Sequence, residues 1–83
     1  MADEFETETI KIDFGQGVPM QQVDKLFAYY VNETGAVTRL EEQVTDDDQV
    51  ITATVEIHGE ELEDIDIIAH EITDEGKYDY QIL

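Results

Sequence analysis

A chain of 83 residues carries 22 acidic side chains against 4 basic ones, a formal charge of −18. That length suits one domain with a small core, which buries about 60–65% of its unfolded surface, and the charge argues against direct contact with nucleic acid or anionic membranes. With 41% hydrophobic residues and no cysteine, the chain is neither a disordered acidic tail nor a scaffold held by disulfides or thiolate-bound metal.

The opening MADEFETETI lacks a basic region and an apolar core, and no run of about 18 apolar residues follows, so a cytoplasmic protein without a membrane span is expected. Residues 1–83 read as a single domain, with residues 1–4 as a flexible tail. In residues 5–14, Ile10, Ile12 and Phe14 alternate with Lys11 and Asp13, which predicts a half-buried strand that GQGVP then breaks. Pro19 suits the first turn of a helix, where its missing N–H would be unpaired anyway. From Met20 to Thr34, the spacing of Met20, Val23, Leu26, Phe27, Tyr30 and Val31 predicts a helix closed by Gly35.

Ala36–Thr45 reads as a second strand with Thr38, Leu40 and Val44 on one face, followed by a polar turn at Asp46, Asp47, Asp48 and Gln49. A third, central strand is expected at VITATVEIH, with Ile51, Ala53, Val55 and Ile57 inward. The stretch GEELEDIDIIAHEITDEG predicts a second helix whose stripe of Leu62, Ile65, Ile68, Ala69 and Ile72 faces the sheet and which Gly76 ends. KYDYQIL alternates as a last short strand. The order β-α-β-β-α-β predicts an α+β, split β-α-β (ferredoxin-like) sandwich: four antiparallel strands with two helices on one face. The second and last strands would be its edges. Arg39, Glu41 and Glu42 guard the second, whereas Tyr78, Tyr80 and Ile82 leave the last open to pairing, so a homodimer is expected.

No pattern specifies catalysis or a cofactor. Gly15-Gln16-Gly17 lacks the lysine and further glycines of a phosphate loop, and an EF-hand started at Asp46 places Val50 and Ile51 where a ligand and a glycine belong. His58 and His70 have no cysteine to complete a zinc site and no nucleophile at a catalytic spacing. A protein without enzymatic activity, metal or cofactor is the expectation.

The acidity itself then needs a cause. A helical wheel leaves Glu60, Glu63, Asp64, Glu71 and Asp74 on the outer half of the second helix, around Ile67. Like-charge neighbours there cost a few tenths of a kcal/mol each. The macrodipole favours acids in the first turn by roughly 0.3–1 kcal/mol, but it opposes Glu71 and Asp74 at the far end. Two explanations lie outside the fold. One is salt adaptation of a small cytoplasmic domain, against which nine isoleucines to seven valines and three lysines to one arginine weigh. The other is a basic partner: carboxylates at helical spacing, at Glu4, Glu6 and Glu8 on alternate strand positions, or at Asp46, Asp47 and Asp48, approach the spacing of phosphates at about 3.4 Å per strand.

In its composition and its segments ADEFETE, VTDDDQ and GEELEDID, the chain resembles the small acidic DNA-mimic proteins with which phages disable host factors. The resemblance implies an inhibitor that occupies a basic DNA-binding protein, such as a nucleoid protein, a restriction enzyme or a CRISPR effector, and competes with DNA. It implies no fold, because such mimics do not share one.

Overall fold

The computed structural model describes residues 6–83. Glu4 and the expected tail lie outside the described residues. The elements are β1 (Glu6–Pro19), α1 (Met20–Ala28), a turn of π-helix (Tyr29–Glu33), β2 (Val37–Val44), β3 (Gln49–Gly59), α2 (Leu62–Ile72) and β4 (Asp79–Ile82). The strands form one sheet in the order β2-β3-β1-β4, with every neighbouring pair antiparallel. This is the split β-α-β sandwich expected from the element order, with β2 and β4 at the edges.

Period-two alternation brings Ile10, Ile12 and Phe14 of β1 to the same side as Ala53, Val55 and Ile57 of β3. Val23 and Phe27 of α1, with Ile65, Ile68, Ala69 and Ile72 of α2, close over them to make one buried cluster. The opposite face of the sheet carries Thr7, Thr9, Lys11 and Asp13 against His58, Glu56, Thr54 and Thr52, and no helix covers it.

Local structure departs from the sequence expectations at five places. First, GQGVP does not end β1. Gly15 donates its N–H to Asp13 Oδ1 at 2.8 Å, Gly15 and Gly17 take positive φ, and the strand resumes with Val18 opposite Val50. The glycines therefore build a bulge that returns Val18 to the core. Second, the same irregularity shifts the inward set of β3: Val50 is fully buried and Ile51 is not.

Third, β2 bulges at Leu40, between the pairs Arg39–Val55 and Glu41–Thr54. The extra residue puts Val37, Arg39 and Glu42 on the helix side and leaves Thr38, Leu40 and Val44 exposed. Arg39 spends its charge there, on Asp24 at 2.9 Å and Glu42 at 2.6 Å, with its guanidinium 5.1 Å from the centre of the Phe27 ring. Fourth, α1 gives way at Tyr29 to a π turn, in which the Thr34 N–H reaches back to the Tyr29 carbonyl at 3.1 Å. Gly35, at φ +71°, then reverses the chain.

Fifth, α2 is shorter than the acidic stretch. It starts after Glu61, which acts as N-cap, and it ends at Ile72, so Glu60 and Asp74 lie outside the helix. Leu62 was expected in the buried stripe, yet it is 57% exposed, because the four-residue β4 provides little wall beside the start of the helix. Buried Thr73 caps the last carbonyls, donating to Ala69 O at 2.8 Å. Asp74, Glu75 and Gly76 follow with positive φ.

The bulge yields a stability test. Gly17 has φ +111°, and a Cβ there would sit 3.1 Å from both Gln49 Cβ and Ile51 Cδ1, whereas nothing lies within 4 Å of one at Gly15. Gly17→Ala is expected to cost about 1–3 kcal/mol in urea unfolding, and more than Gly15→Ala, which meets backbone strain without a clash.

Candidate partner-binding surface

The candidate acids do not converge on one face. Asp46, Asp47 and Asp48 occupy the β2–β3 turn, held by Thr45 Oγ1 donating to Asp47 Oδ1 at 2.6 Å and by the Met20 N–H on Asp48 O at 3.0 Å. Glu60 lies just beyond the other end of the 11-residue β3, roughly 35 Å away at strand rise. Glu6 and Glu8 share that second end, because they pair opposite Gly59 and Ile57. Glu6 and Glu8 thus gather with the acids at the start of the 60–75 segment, whereas Asp74 and Glu75 follow α2 toward the other end, where Tyr78 packs on Phe14.

Two of the latter hold the helix together. Glu61 and Asp64 form a capping box, with Asp64 Oδ2 accepting the Glu61 N–H at 3.1 Å. The start of α2 is therefore fixed by specific hydrogen bonds in addition to the macrodipole. Gly59 permits the tight entry, since a Cβ there would lie 3.0 Å from Asp64 Cβ.

Glu71 has one partner, and it is not a cation. The Tyr30 hydroxyl donates to Glu71 Oε1 at 3.0 Å, and burial, followed by this bond to the carboxylate, pushes the phenol above its ordinary value. Glu60, Glu63, Asp66, Asp74 and Glu75 are exposed. Among the described residues the ion pairs are Arg39–Asp24 and Arg39–Glu42, and the one histidine contact to a carboxylate is His58 Nε2 to Glu56 at 3.3 Å, so no acid of the 60–75 segment has a cation partner.

Apolar surface flanks this ridge on both sides. Toward α1, Ile67, which is 52% exposed, shares a groove of about 300 Å³ with Tyr29, Tyr30, Thr34, Asp64 and Ile68. Tyr29 stands 60% exposed, edge-on to Tyr30 with ring centres 5.0 Å apart. Toward β4, a second groove is lined by Glu8, Leu62, Ile65, Asp66, Tyr80 and Ile82. The expectation of an isolated Ile67 within carboxylates is thus extended: Tyr29 and Tyr30 come up beside it, and Asp66 joins the acidic set. Tyr29 is the exposed member of the Tyr29-Tyr30 pair, and only Tyr30 packs against the core.

No family model, characterised protein or solved structure matches this chain. Its function must be read from its own side chains. The open sheet face, where a nucleic-acid module would display cations and aromatic platforms, has Lys11 among Asp13, Glu41, Glu56 and Asp79. Among the described residues no cluster of acids and histidines has the geometry of a metal site, and no helix is long and apolar enough to cross a membrane.

The Tyr30–Glu71 bond gives a pH signature. With its folded value raised above the unfolded value of about 10, Tyr30 contributes stability that is intact at neutral pH and is lost as pH climbs through that value. In an ultraviolet titration, Glu71→Gln is expected to bring this phenol down toward the ordinary range by removing the negative neighbour.

Proposed function

We propose that this protein is a non-enzymatic, cytoplasmic inhibitor that binds a basic, DNA-binding protein and displaces DNA from it. One observation carries the reading. The 60–75 segment exposes a ridge of carboxylates that no cation among the described residues balances, with Ile67 and Tyr29 exposed beside it. A surface serving solubility alone has no need for large apolar side chains at its centre, whereas an interface combines apolar anchors with a charged rim.

Charge density and shape support the same reading. A net charge of −18 along a long axis of 46 Å amounts to one charge per roughly 2.6 Å, against one per about 1.7 Å along duplex DNA. A DNA-binding groove lined by Lys and Arg would thus meet an elongated surface of the right sign and roughly two-thirds the density. The partner's arginines find a further attraction in Tyr29, whose exposed ring can stack a guanidinium next to Asp64. The class of partner is a protein that neutralises phosphates along a groove, and the inhibitor itself does not touch DNA.

Competition tests this directly. In a mobility-shift assay with nucleoid and restriction proteins, excess inhibitor is expected to release DNA from its target, less effectively as salt rises. DNA that stays bound to every such protein contradicts the proposal.

Substitution then tests the face. Changing Glu63 and Glu71 to Gln and Asp64 and Asp74 to Asn preserves hydrogen-bond acceptors, including the cap oxygen at 64, and is expected to slow association by roughly tenfold or more while the fold stays intact. Ile67→Ser or Tyr29→Ala should instead speed dissociation by about fivefold with little change in association, the size of a partly buried side chain's transfer energy. Undiminished inhibition by the fourfold variant would move the binding face to Glu6 and Glu8 or to Asp46–Asp48.

A further inference from the structure

The other edge of the molecule is built differently. β4 pairs with β1 through Ile82–Ile10, Gln81–Lys11, Tyr80–Ile12 and Asp79–Asp13, and the Leu83 N–H donates to the Thr9 carbonyl at 2.9 Å. In an antiparallel ladder, alternate residues turn their backbone groups to the same neighbour. Leu83, Gln81 and Asp79 therefore bond to β1, and the N–H and C=O of Tyr80 and Ile82 point away from the sheet. Their side chains are on the helix side, opposite Ile12 and Ile10, where they line the groove with Leu62 and Ile65.

This edge lacks the guards of its counterpart. β2 has a bulge at Leu40 and the charged Arg39, Glu41 and Glu42, all of which discourage pairing. Residues 77–83 contain one cation and one acid, Lys77 and Asp79, in a chain of net charge −18. A second copy, repelled almost everywhere else, meets the least repulsion here. Exposed apolar surface is also concentrated here: Leu62 is 57%, Ile82 61% and Leu83 65% exposed.

We propose that two copies of this chain pair through β4, antiparallel about a twofold axis at Gln81, to form a continuous eight-stranded sheet. The register follows from the ladder. Gln81 faces Gln81 of the second copy as a non-hydrogen-bonded pair, and Tyr80 faces Ile82 of the second copy as a hydrogen-bonded one. The outward N–H of each Tyr80 donates to the carbonyl of the opposite Ile82, and the N–H of each Ile82 to the carbonyl of the opposite Tyr80, so four backbone bonds use every outward group of the edge. Each aromatic ring meets a β-branched side chain, a favoured cross-strand pair, and Asp79 falls opposite Leu83 rather than opposite itself. Such self-complementarity is what an isologous interface requires and what an arbitrary foreign strand would lack. The pairing does not depend on the inhibitor reading.

Sedimentation equilibrium is the first measurement, at micromolar concentrations and rising salt. A species of twice 9.5 kDa is expected, and its association should strengthen with salt as repulsion is screened. Ile82→Lys should return the mass to 9.5 kDa, whereas Val44→Lys on the β2 edge should not. Gln81→Cys supplies a check that does not depend on folding losses. In the native chain, which has no cysteine, the two introduced thiols would sit with Cα atoms about 4.5 Å apart, within the roughly 4.4–6.8 Å that a disulfide spans. Gln81→Cys is expected to oxidise to a covalent dimer much faster than Asp79→Cys. A mass that stays at 9.5 kDa at every salt concentration, a dimer indifferent to Ile82→Lys, or equal oxidation of the two cysteine variants overturns the proposal.

Discussion

Every feature of this fold answers to one constraint: four cations cannot neutralise 22 acids, so the carboxylates must remain in water. An uncompensated charge in the interior would cost several kcal/mol, a large part of the stability of so small a domain. Among the described residues the buried set is accordingly apolar apart from Thr73, whose hydroxyl donates back to the carbonyls of its own helix. The half-buried guanidinium of Arg39 is placed where one cation does most, bridging α1 to β2 through Asp24 and Glu42 while covering Phe27. The capping box of α2 turns two further acids into hydrogen-bond acceptors. What remains is a surface of unpaired carboxylates, interrupted at β4, where charge is sparse.

That division separates the carboxylates which hold the fold from those which do not. Asp64 and Glu61 cap, Asp24 and Glu42 bind Arg39, and Glu71 accepts from Tyr30. Glu60, Glu63, Asp66, Asp74 and Glu75 have no such task within the chain. Beside this segment runs a groove whose aromatic wall exists because the π turn after Ala28 leaves Tyr29 in solvent while Tyr30 reaches back to α2. π turns occur often at functional sites, since the widened turn is held against its own unfavourable geometry by what it positions.

Regular periodicity was legible in the sequence. Ile10, Ile12 and Phe14, the stripe of α1, and Ile65, Ile68, Ala69 and Ile72 are where alternation and helical spacing put them, and the element order was enough to place β2 and β4 at the edges. Departures occur where one residue is added. The bulges at Gly15–Gly17 and at Leu40 change which residues face inward, so Val50 displaces Ile51 and the exposed set of β2 includes Leu40. A local pattern does not reveal such insertions, because they are set by the partner strand. A helical wheel puts Glu63, Asp64, Ile67 and Glu71 on the outer half of α2, but drawn over the whole acidic stretch it runs past the true helix to Glu60 and Asp74. The neighbours Tyr29 and Tyr30 come from a different element, and only tertiary packing brings them to Ile67.

The central claim is that the carboxylate ridge is kept for a partner, at a cost to the fold that the apolar core can bear without help from salt. Urea unfolding followed by circular dichroism, repeated from about 0.01 M to about 1 M salt, tests it most directly, since the screening length falls from about 30 Å to about 3 Å over that range. The account predicts a cooperative unfolding transition already at the lowest salt, with a midpoint that rises modestly as like charges are screened. A chain that is unfolded in dilute buffer and folds only near molar salt would contradict it, and would mark the acidity as an adaptation to brine.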